Sequence, residues 1–572
     1  MAVTWGLTTN ASMGRGMTDR LRPIVDDGTE RTAGRDAQQL NLSAGQALAN
    51  IVRTTLGPKG SDKMIITAAG KVVVTNDGAR VLELIEIEQP AAETLAEVAA
   101  DQAKQVGDGT TTAIVLTGEL LTQAESLLEE GVHPTTIARG YRLATERAAA
   151  LVASYAFEIE PDDVDRLEEI AATVVTGKWD SKSISFLASL TVETILAVEH
   201  DTTVDLKRIT RRTVPGGRLR DSKVVDGLVI DTSQSSTSVV TPSTEHPDHI
   251  EDATVTLIDG GLTIEEVDGL GSVSLDGPEE RQELLEYEDS VYANHVERIA
   301  ATGADIVFCQ QAIDDTVRHL LAAQDIIAIE RTRRDELVQL GRATGATHVD
   351  SVSELTTTDT GSAGLIEQRT VGGRELTVVS ECENTEQVSL LLRGGPEHVV
   401  NELDRIADSC LRVLETAIEQ RRVVPGGGAC EIRLARDLRK DSTNIDGREQ
   451  LAVDAFADAL EAVPRTLATT AGLDPIDAVI YLRHHHYDGN TAAGLDLTTG
   501  EISDMIDAGV LEPLAVKRRI ISSAEETASL LVRVDDVIAA SRDHSEDDPD
   551  HDHGDGPGNL HSTEGYPWAI GH

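Results

Sequence analysis

Apolar residues recur at helical spacing over several long stretches of the chain. The spacing predicts a helix over Asp36–Thr55, which stops at Leu56-Gly57-Pro58. It also predicts amphipathic helices over Pro90–Val106 and over Thr110–Glu130. Residues 135–200 keep the same pattern. The first third of the chain is therefore predicted to be mainly helical.

Short runs rich in β-branched residues predict the strands. Met64–Thr67 and Lys71–Thr75 flank Ala-Ala-Gly, which is typical of a hairpin. Between about residues 215 and 373, further runs alternate with helical stretches, as in an α/β layer domain. These runs are Val224–Ile230, Thr254–Ile258, Asp305–Cys309 and Ile326–Ile329. Helical spacing returns over Pro396–Arg439 and Arg448–Ala471.

The charge of the chain limits its partners. With 99 Asp and Glu against 50 Lys and Arg, the formal net charge is −49 over 572 residues. We expect neither nucleic acid nor membrane as a partner, because phosphate backbones are bound by basic stripes and none is seen. No run reaches ~18 apolar residues, and no signal pattern opens the chain, so we expect a cytoplasmic protein. Periodic Val, Ile and Leu predict a folded chain despite 2% aromatic residues.

The two chain ends are predicted to lie outside the folded part. Residues 1–17 have the composition of a flexible leader, and residues 542–572 form an acidic, His-rich run with almost no core-forming residues. We expect that tail to be disordered.

The basic residues are mostly Arg, with only ten Lys in the chain. Arg holds ion pairs better than Lys does, and Lys exposes a longer mobile apolar stem. An acidic surface poor in Lys and aromatic rings suits a salt-accumulating cytoplasm, where charge is screened within a few ångströms. The composition favours a halophilic source, with an ordinary acidic protein as the alternative.

Cysteine and histidine spacing indicates neither a disulfide framework nor a strong metal site. Cys309, Cys382, Cys410 and Cys430 stand far apart and are expected to be buried small hydrophobic residues. His484-His485-His486 are consecutive, so they cannot all face one ion from a helix. The histidines of the tail are expected to be part of a solvated low-complexity segment.

The most informative motif is Gly107-Asp108-Gly109-Thr110-Thr111-Thr112, between two predicted helices. The glycines let the backbone approach a ligand, and the threonines open a helix whose free N–H groups attract phosphate. A carboxylate in such a turn would repel phosphate unless a cation lies between them, so Asp108 is a candidate Mg²⁺ ligand. The alternative is a helix-capping turn with Asp108 as the cap.

Several motifs together resemble the group II chaperonins, the thermosome and eukaryotic cytosolic type. The resemblance spans roughly residues 23–541, and no Walker-type phosphate loop is present. Its motifs are Leu56–Gly60, Thr75–Ala79, the Gly107–Thr112 turn, Asp221–Asp231, Val307–Asp315, Leu392–Val400, Pro425–Gly428, Ala471–Asp477 and Val534–Ala540.

The resemblance implies roles for individual residues. Leu56, Gly57 and Pro58 would line a nucleotide pocket, and Gly107–Thr112 would hold the phosphates, with Mg²⁺ on Asp108. Asp77 would position the water that attacks the γ-phosphoryl group; the alternative is an Asn-Asp-Gly turn. Lys178 would sense the γ-phosphate, although alone it would be read as a solvated lysine. Gly427 and Glu512 would flank the base and the ribose.

One position departs from the family pattern. The second water-activating carboxylate is expected at position 409, which is Ser409, while Asp408 lies one residue earlier. One residue corresponds to about 100° around a helix, so Asp408 can take this role only if the helix shifts register. Because a Ser hydroxyl is a poor general base, we expect intact ATP binding with weakened hydrolysis.

The resemblance implies a multi-domain α+β chaperone subunit and an Mg²⁺-dependent ATPase in stacked rings that enclose unfolded client proteins. A largely helical equatorial domain that binds ATP would comprise residues 18–147 and 410–541. A small intermediate hinge domain would comprise residues 148–215 and 373–409. An α/β apical domain that binds clients would comprise residues 216–372, with a helical lid at about 273–303.

Two questions remain open from the sequence. The segment Asp276–Gly303 is either the lid or an ordinary amphipathic helix packed on its own domain. The whole protein is an active foldase, a nucleotide-binding but weakly hydrolysing structural subunit of a mixed ring, or a holdase that captures clients without cycling.

Overall fold

The computed structural model describes residues 30–67, 70–175, 179–200, 202–233, 249–263, 278–382 and 387–539. The described backbone forms two units, one within residues 35–535 and one of the chain ends, residues 30–34 and 536–539. The predicted leader, residues 1–17, and tail, residues 542–572, lie outside the described residues, as does Lys178.

Helices make up most of the larger unit. The helices are α1 (Arg35–Arg53), α2 (Gly78–Leu84), α3 (Pro90–Val106), α4 (Thr110–Glu129), α5 (Pro134–Tyr155), α6 (Val164–Val175), α7 (Ser181–Leu196), α8 (Pro278–Ala301), α9 (Asp315–Ala322), α10 (Arg334–Thr344), α11 (Glu397–Gln420), α12 (Ala429–Ser442), α13 (Glu449–Leu460), α14 (Ala462–Thr470), α15 (Pro475–Tyr487) and α16 (Leu514–Arg533). No helix among the described residues is long and apolar enough to cross a membrane.

Strands occur singly or in small groups between the helices. They are β1 (Glu30–Ala33), β2 (Lys63–Ile66), β3 (Val72–Thr75), β4 (Phe157–Glu158), β5 (Glu199–His200), β6 (Thr203–Val204), β7 (Ile209–Pro215), β8 (Lys223–Asp226), β9 (Leu228–Asp231), β10 (His249–Ile258), β11 (Ile306–Cys309), β12 (Ile327–Ile329), β13 (His348–Val349), β14 (Gly361–Val371), β15 (Arg374–Ser380), β16 (Val388–Gly394), β17 (Arg422–Pro425), β18 (Ala493–Asp496), β19 (Glu501–Asp504), β20 (Leu511–Pro513) and β21 (Asp536–Ala539). In the unit of the chain ends, β1 pairs antiparallel with β21.

The predicted helices and hairpin of the first third of the chain are present. The first helix spans Arg35–Arg53, and its apolar face packs on α4. β2 and β3 form the antiparallel hairpin, with Met64 opposite Val74. Both long amphipathic helices begin where the pattern predicted and end within one residue of it.

The mixed sheet of residues 228–380 matches the predicted α/β layers. Its strand order is β12-β11-β10-β14-β15-β9, with β13 also beside β10, and β10, β11 and β12 run parallel. One prediction was wrong in detail. The single run Val224–Ile230 breaks at Gly227 into β8 and β9, which belong to two different sheets.

The predicted helical stretch Pro396–Arg439 was also wrong at one place. β17 interrupts it and pairs antiparallel with β20, so that Val424 lies opposite Glu512. Val423 and Val424 of β17 are fully buried. Two valines before Pro425 form a strand because they pair with distant residues, which helical spacing does not reveal.

The core around α4, α5, α12, α13 and α16 supports the loops described below. Tyr141 is fully buried, its hydroxyl donates to Leu120 O at 2.8 Å, and its ring meets Phe456 edge-on at 5.8 Å. A separate core joins α6, α7 and α11 to β7 and β16. The predicted domain limits at 147/148 and 409/410 fall inside α5 and α11, so continuous helices cross both limits.

The two ends of α8 have different surroundings. Leu284, Leu285 and Tyr287 are exposed, whereas Val296 and Ile299 are buried in a core with β11 and α9. The second half of this helix therefore packs on its own domain, and the described part of the first half does not.

Candidate functional site

A cavity in the larger unit gathers residues that are far apart in sequence. Its walls include the loop after α1 with Leu56, Gly57 and Pro58, the turn before α2 with Asp77, and the turn between α3 and α4, residues 107–112. Ser409 of α11, Gly427 after β17 and Glu512 of β20 complete it. Most of the candidate site residues from the sequence thus lie around one space.

The turn between α3 and α4 has a backbone that needs glycine. Gly107 and Gly109 have φ of 75° and 80°, in the left-handed region. A Cβ on Gly109 would also lie 2.5 Å from Ile520 Cδ1. Gln102 Nε2 donates to Asp108 O at 3.1 Å, which fixes the turn further.

The N-terminus of α4 faces the cavity and can bind an anion. The bond from Ala113 N to Gly109 O, 2.9 Å, is the first of the helix. The N–H groups of Thr110, Thr111 and Thr112 precede it, and helix geometry gives them no acceptor within the helix. Gly109 carries no capping side chain. Free N–H groups and the positive end of a 20-residue helix therefore meet the cavity.

The carboxylate of Asp77 caps a helix and also lies at the cavity. Its Oδ1 caps α2, accepting from Ala79 N at 2.8 Å and Arg80 N at 3.3 Å. Its Oδ2 forms an ion pair with Arg405, which also lines the cavity. The turn of Asp77 is therefore a capping turn, and its carboxylate still lies at the cavity.

Ser409 and Asp408 have different neighbours on α11. Ser409 lines the cavity, and its carbonyl oxygen is 2.9 Å from where a Cβ of Gly107 would be. Asp408 does not line it, and pairs with Arg211 at 2.8 Å and Arg412 at 2.9 Å. Of these two residues it is therefore Ser409 that faces the cavity, and the one-residue step along the helix turns the carboxylate of Asp408 away.

The lining of the cavity also includes a buried charge cluster. Lys517, 3% exposed, contacts Glu431 Oε1 at 2.5 Å and Glu512 Oε2 at 2.7 Å. Burial lowers the pKa of Lys517, but the charges of Glu431 and Glu512 outweigh it and raise that pKa. Burial raises the pKa of Glu512, against the attraction of Lys517. Mutual pairing is what allows these three charges to stay out of water.

The donors around the turn fit a nucleotide with Mg²⁺. Asp108 lies in the lining beside the N-terminus of α4, so one carboxylate and bound phosphate oxygens could share a cation there. Among the described residues, no group of three or more His, Cys, Asp or Glu is arranged to hold a metal ion by itself. A cation at Asp108 would therefore need the phosphate oxygens of the nucleotide as further ligands.

The other candidate metal and thiol residues are structural. His486 is buried, with Nε2 2.8 Å from Ala493 O, while His484 lies 3.5 Å from Asp488. The four cysteines are buried thiols and are not joined in disulfides, as expected.

Sequence reasoning missed four charged residues of the lining: Arg405, Glu431, Asp496 and Lys517. One signal was available for Lys517, because it is one of only ten lysines and follows Glu512 closely. Arg405 gave no local signal, since its partner Asp77 is 328 positions away.

Comparison with known proteins identifies the family. The model of the TCP-1/cpn60 chaperonin family matches residues 48–542. The chain is 43% identical over 517 residues to thermosome subunit alpha of Halobacterium salinarum, covering 90% of this chain and 91% of that one. It is 44% identical over 521 residues to the thermosome subunit of Methanopyrus kandleri, covering 90% and 94%. Thermosome subunit 1 of Haloferax volcanii is 43% identical over 538 residues, covering 94% and 95%.

A solved structure agrees with this assignment. The open-state monomer of a group II chaperonin from Methanococcoides burtonii matches with a TM-score of 0.57 and 37% sequence identity. The match covers 75% of this chain and 100% of that one. The chain therefore belongs to the TCP-1/cpn60 chaperonin family, and within it to the group II chaperonins.

Proposed function

We propose that this protein is an ATP-dependent chaperone subunit and that the cavity binds ATP with Mg²⁺. The observation that carries the proposal is the free N-terminus of α4, which opens on Gly109 beside Asp108. Phosphate groups suit those N–H groups, and the cation that accompanies ATP suits the carboxylate.

The lining suggests how a nucleotide would be held. Residues 107–112 would bind the phosphates, with Asp108 on Mg²⁺. Leu56, Gly57 and Pro58 would contact the nucleoside part, as would Gly427 and Glu512. The buried pairing of Glu512 with Lys517 would keep that wall rigid.

Hydrolysis is proposed to be weak in this subunit. In-line attack of water on the γ-phosphoryl group forms one P–O bond and breaks the bond to the β-phosphate, while the water proton goes to a base. Asp77 is the proposed base, and Ser409 supplies only a hydroxyl at the second position. Loss of a general base commonly lowers the rate by about 10²–10⁴-fold. Lys178 remains a predicted γ-phosphate sensor.

Direct binding measurements test the nucleotide site. Full-length protein should bind a fluorescent ATP analogue, and unlabelled ATP should displace it. Chelation of Mg²⁺ should weaken the binding of ATP, because Asp108 and the phosphates would then repel each other. The absence of competition by ATP at millimolar concentration would refute the proposed site.

We further propose that subunits, identical or paralogous, form stacked rings in the cytoplasm and enclose unfolded clients. Nucleotide would bias a hinge and a lid between two states. The predicted equatorial, intermediate and apical ranges, and the lid at about 273–303, belong to this proposal. The exposed Leu284, Leu285 and Tyr287 of α8 are apolar residues that such a lid could present to a client or to a neighbour.

Salt is proposed to be a condition of assembly. A charge of −49 per subunit multiplies into strong repulsion around a ring when salt is low. Rings should therefore hold together in concentrated salt and dissociate on dilution of the salt, as measured by light scattering. Rings that remain intact at low ionic strength would contradict the proposed salt adaptation.

Ser409 also favours a second candidate function, that of a subunit that binds nucleotide but contributes little turnover to a mixed ring. An isolated subunit that hydrolyses ATP rapidly and closes by itself would exclude this role. A holdase differs again, since it would protect clients equally well with ATP and with a non-hydrolysable analogue.

A further inference from the structure

Arg405 lies at the cavity with its charge directed toward two carboxylates. Its guanidinium pairs with Asp77 and contacts Glu402 Oε2 at 2.8 Å and Thr75 Oγ1 at 3.4 Å. The side chain is 31% exposed and that of Asp77 is 28% exposed, so water reaches the pair. An ion pair this exposed is weak, because solvent screens it.

The contacts around Arg405 place it beside the phosphate-binding turn. Gly78, which follows Asp77, packs on Thr111: a Cβ on Gly78 would lie 2.4 Å from Thr111 Oγ1. Ser409, one helical turn after Arg405, packs against Gly107 on the other side of the same turn. Arg405 is therefore at the end of the cavity where the first N–H groups of α4 are.

Of the residues that the structure describes around the cavity, two are cationic, Arg405 and Lys517. Lys517 is buried between Glu431 and Glu512 and is not available to a ligand. Arg405 is half-buried and ends in a planar fork, which matches two oxygens of a phosphate.

We propose that Arg405 is a ligand of the terminal phosphate of the bound nucleotide, and that it leaves Asp77 to bind that phosphate. This inference rests on the proposed binding of ATP in the cavity. The terminal phosphate carries more negative charge than one carboxylate and offers two oxygens to the fork, so it competes well for the guanidinium.

The exchange has a consequence for Asp77. A carboxylate has about four acceptor positions, and the two backbone N–H groups and Arg405 occupy three of them on Asp77. Departure of the guanidinium frees Oδ2 toward water only when a terminal phosphate is present. Arg405 thereby acts as a positioning residue for Asp77 and distinguishes ATP from ADP.

The test compares two nucleotides on the full-length protein by calorimetry with Mg²⁺: ADP and adenylyl imidodiphosphate, a non-hydrolysable ATP analogue. Arg405→Gln should lower the affinity for the analogue about tenfold, which is the usual contribution of a charge-assisted hydrogen bond. It should leave the affinity for ADP nearly unchanged. Arg405→Lys keeps the charge without the fork and should weaken the analogue less than Arg405→Gln does.

Arg211→Gln is the matched control. Like Arg405, Arg211 is about a third exposed, at 29%, and pairs with two carboxylates, which are those of Asp404 and Asp408. Unlike Arg405, it does not line the cavity. Its substitution should leave the ratio of the two affinities unchanged. If Arg405→Gln does not fold, Arg405→Lys and the wild type still give the ratio.

The outcomes separate the two proposals. Equal weakening of both nucleotides by Arg405→Gln, or no weakening of either, would overturn the role of Arg405 while leaving the nucleotide site in place. Wild-type protein that binds neither nucleotide would refute the site itself, and the role of Arg405 with it.

Discussion

Two charged groups in the lining of the cavity hold their charges in different ways. In one group, Lys517 and Glu431 are 3% and 4% exposed and pair in the interior. In the other, Arg405 and Asp77 are about a third exposed and pair within reach of water. A buried cluster is costly to break, because each charge left behind is uncompensated. A screened pair is cheap to exchange, so the buried group is suited to a fixed wall and the exposed group to a response to ligand.

Removal of Lys517 should have the largest effect on this contrast. Lys517→Met would leave the carboxylates of Glu431 and Glu512 buried without a cation and should lower the free energy of unfolding by about 3–5 kcal/mol. Denaturant unfolding at pH 8 measures the loss. The loss should shrink at lower pH, where Glu512, whose pKa burial raises, takes up a proton. Arg405→Met, by comparison, should cost less than about 1 kcal/mol. Equal losses of stability for Lys517→Met and Arg405→Met would remove the distinction between the buried and the exposed charge group.

The turn that opens α4 should show an intermediate effect. Gly109→Ala combines a left-handed φ with a Cβ 2.5 Å from Ile520 and should cost about 1–3 kcal/mol and weaken ATP binding. Gly131, just past the other end of the helix, also has φ near 80° but nothing within 4 Å of a Cβ. Gly131→Ala should therefore cost less and leave ATP binding intact. Thermal unfolding and ATP titration compare the two variants. Equal ATP affinities of Gly109→Ala and Gly131→Ala would contradict a role of the Gly109 backbone in ATP binding.

The smallest effect on stability is expected at Glu415 of α11. Burial, then the charge of Glu419, raises the pKa of Glu415 to about 7 from a reference value of 4.5. The native state therefore binds the extra proton between these values, and stability should fall as pH rises through that window. Glu415→Gln should abolish this dependence of stability on pH. The dependence should amount to less than about 1 kcal/mol, because solvent screens a group that is partly exposed. A slope that persists in thermal unfolding of the variant would assign the titration to another group.

Local signals predicted more of the fold than of the charge pairing. The Gly-Asp-Gly-Thr turn, the helices on either side of it and the β2–β3 hairpin depend on neighbours in sequence, so the pattern was sufficient. The break at Gly227 and the strand β17 depend on partners in distant segments, such as Val424 opposite Glu512. The pair of Arg405 with Asp77 depends likewise on how α11 lies against α2. A single sequence carries no record of that packing.

The segment predicted as a lid shows the same limit. Helical spacing in Asp276–Gly303 predicted one helix, and α8 is one helix from Pro278 to Ala301. The spacing did not show that its second half is buried at Val296 and Ile299 while Leu284 and Leu285 stay exposed. Burial of an amphipathic face depends on whether another element covers it, which the helix's own residues do not determine.

We propose that this chaperonin subunit binds ATP at a site in which Ser409 occupies the position of a water-activating carboxylate. Steady-state ATP hydrolysis by the wild type and by Ser409→Asp, at saturating Mg²⁺ and ATP, tests it most directly. Ser409→Asp should raise kcat by about 10²-fold or more with little change in ATP affinity, whereas the uncharged Ser409→Asn should not. Equal and rapid turnover in the wild type and Ser409→Asp would contradict the claim.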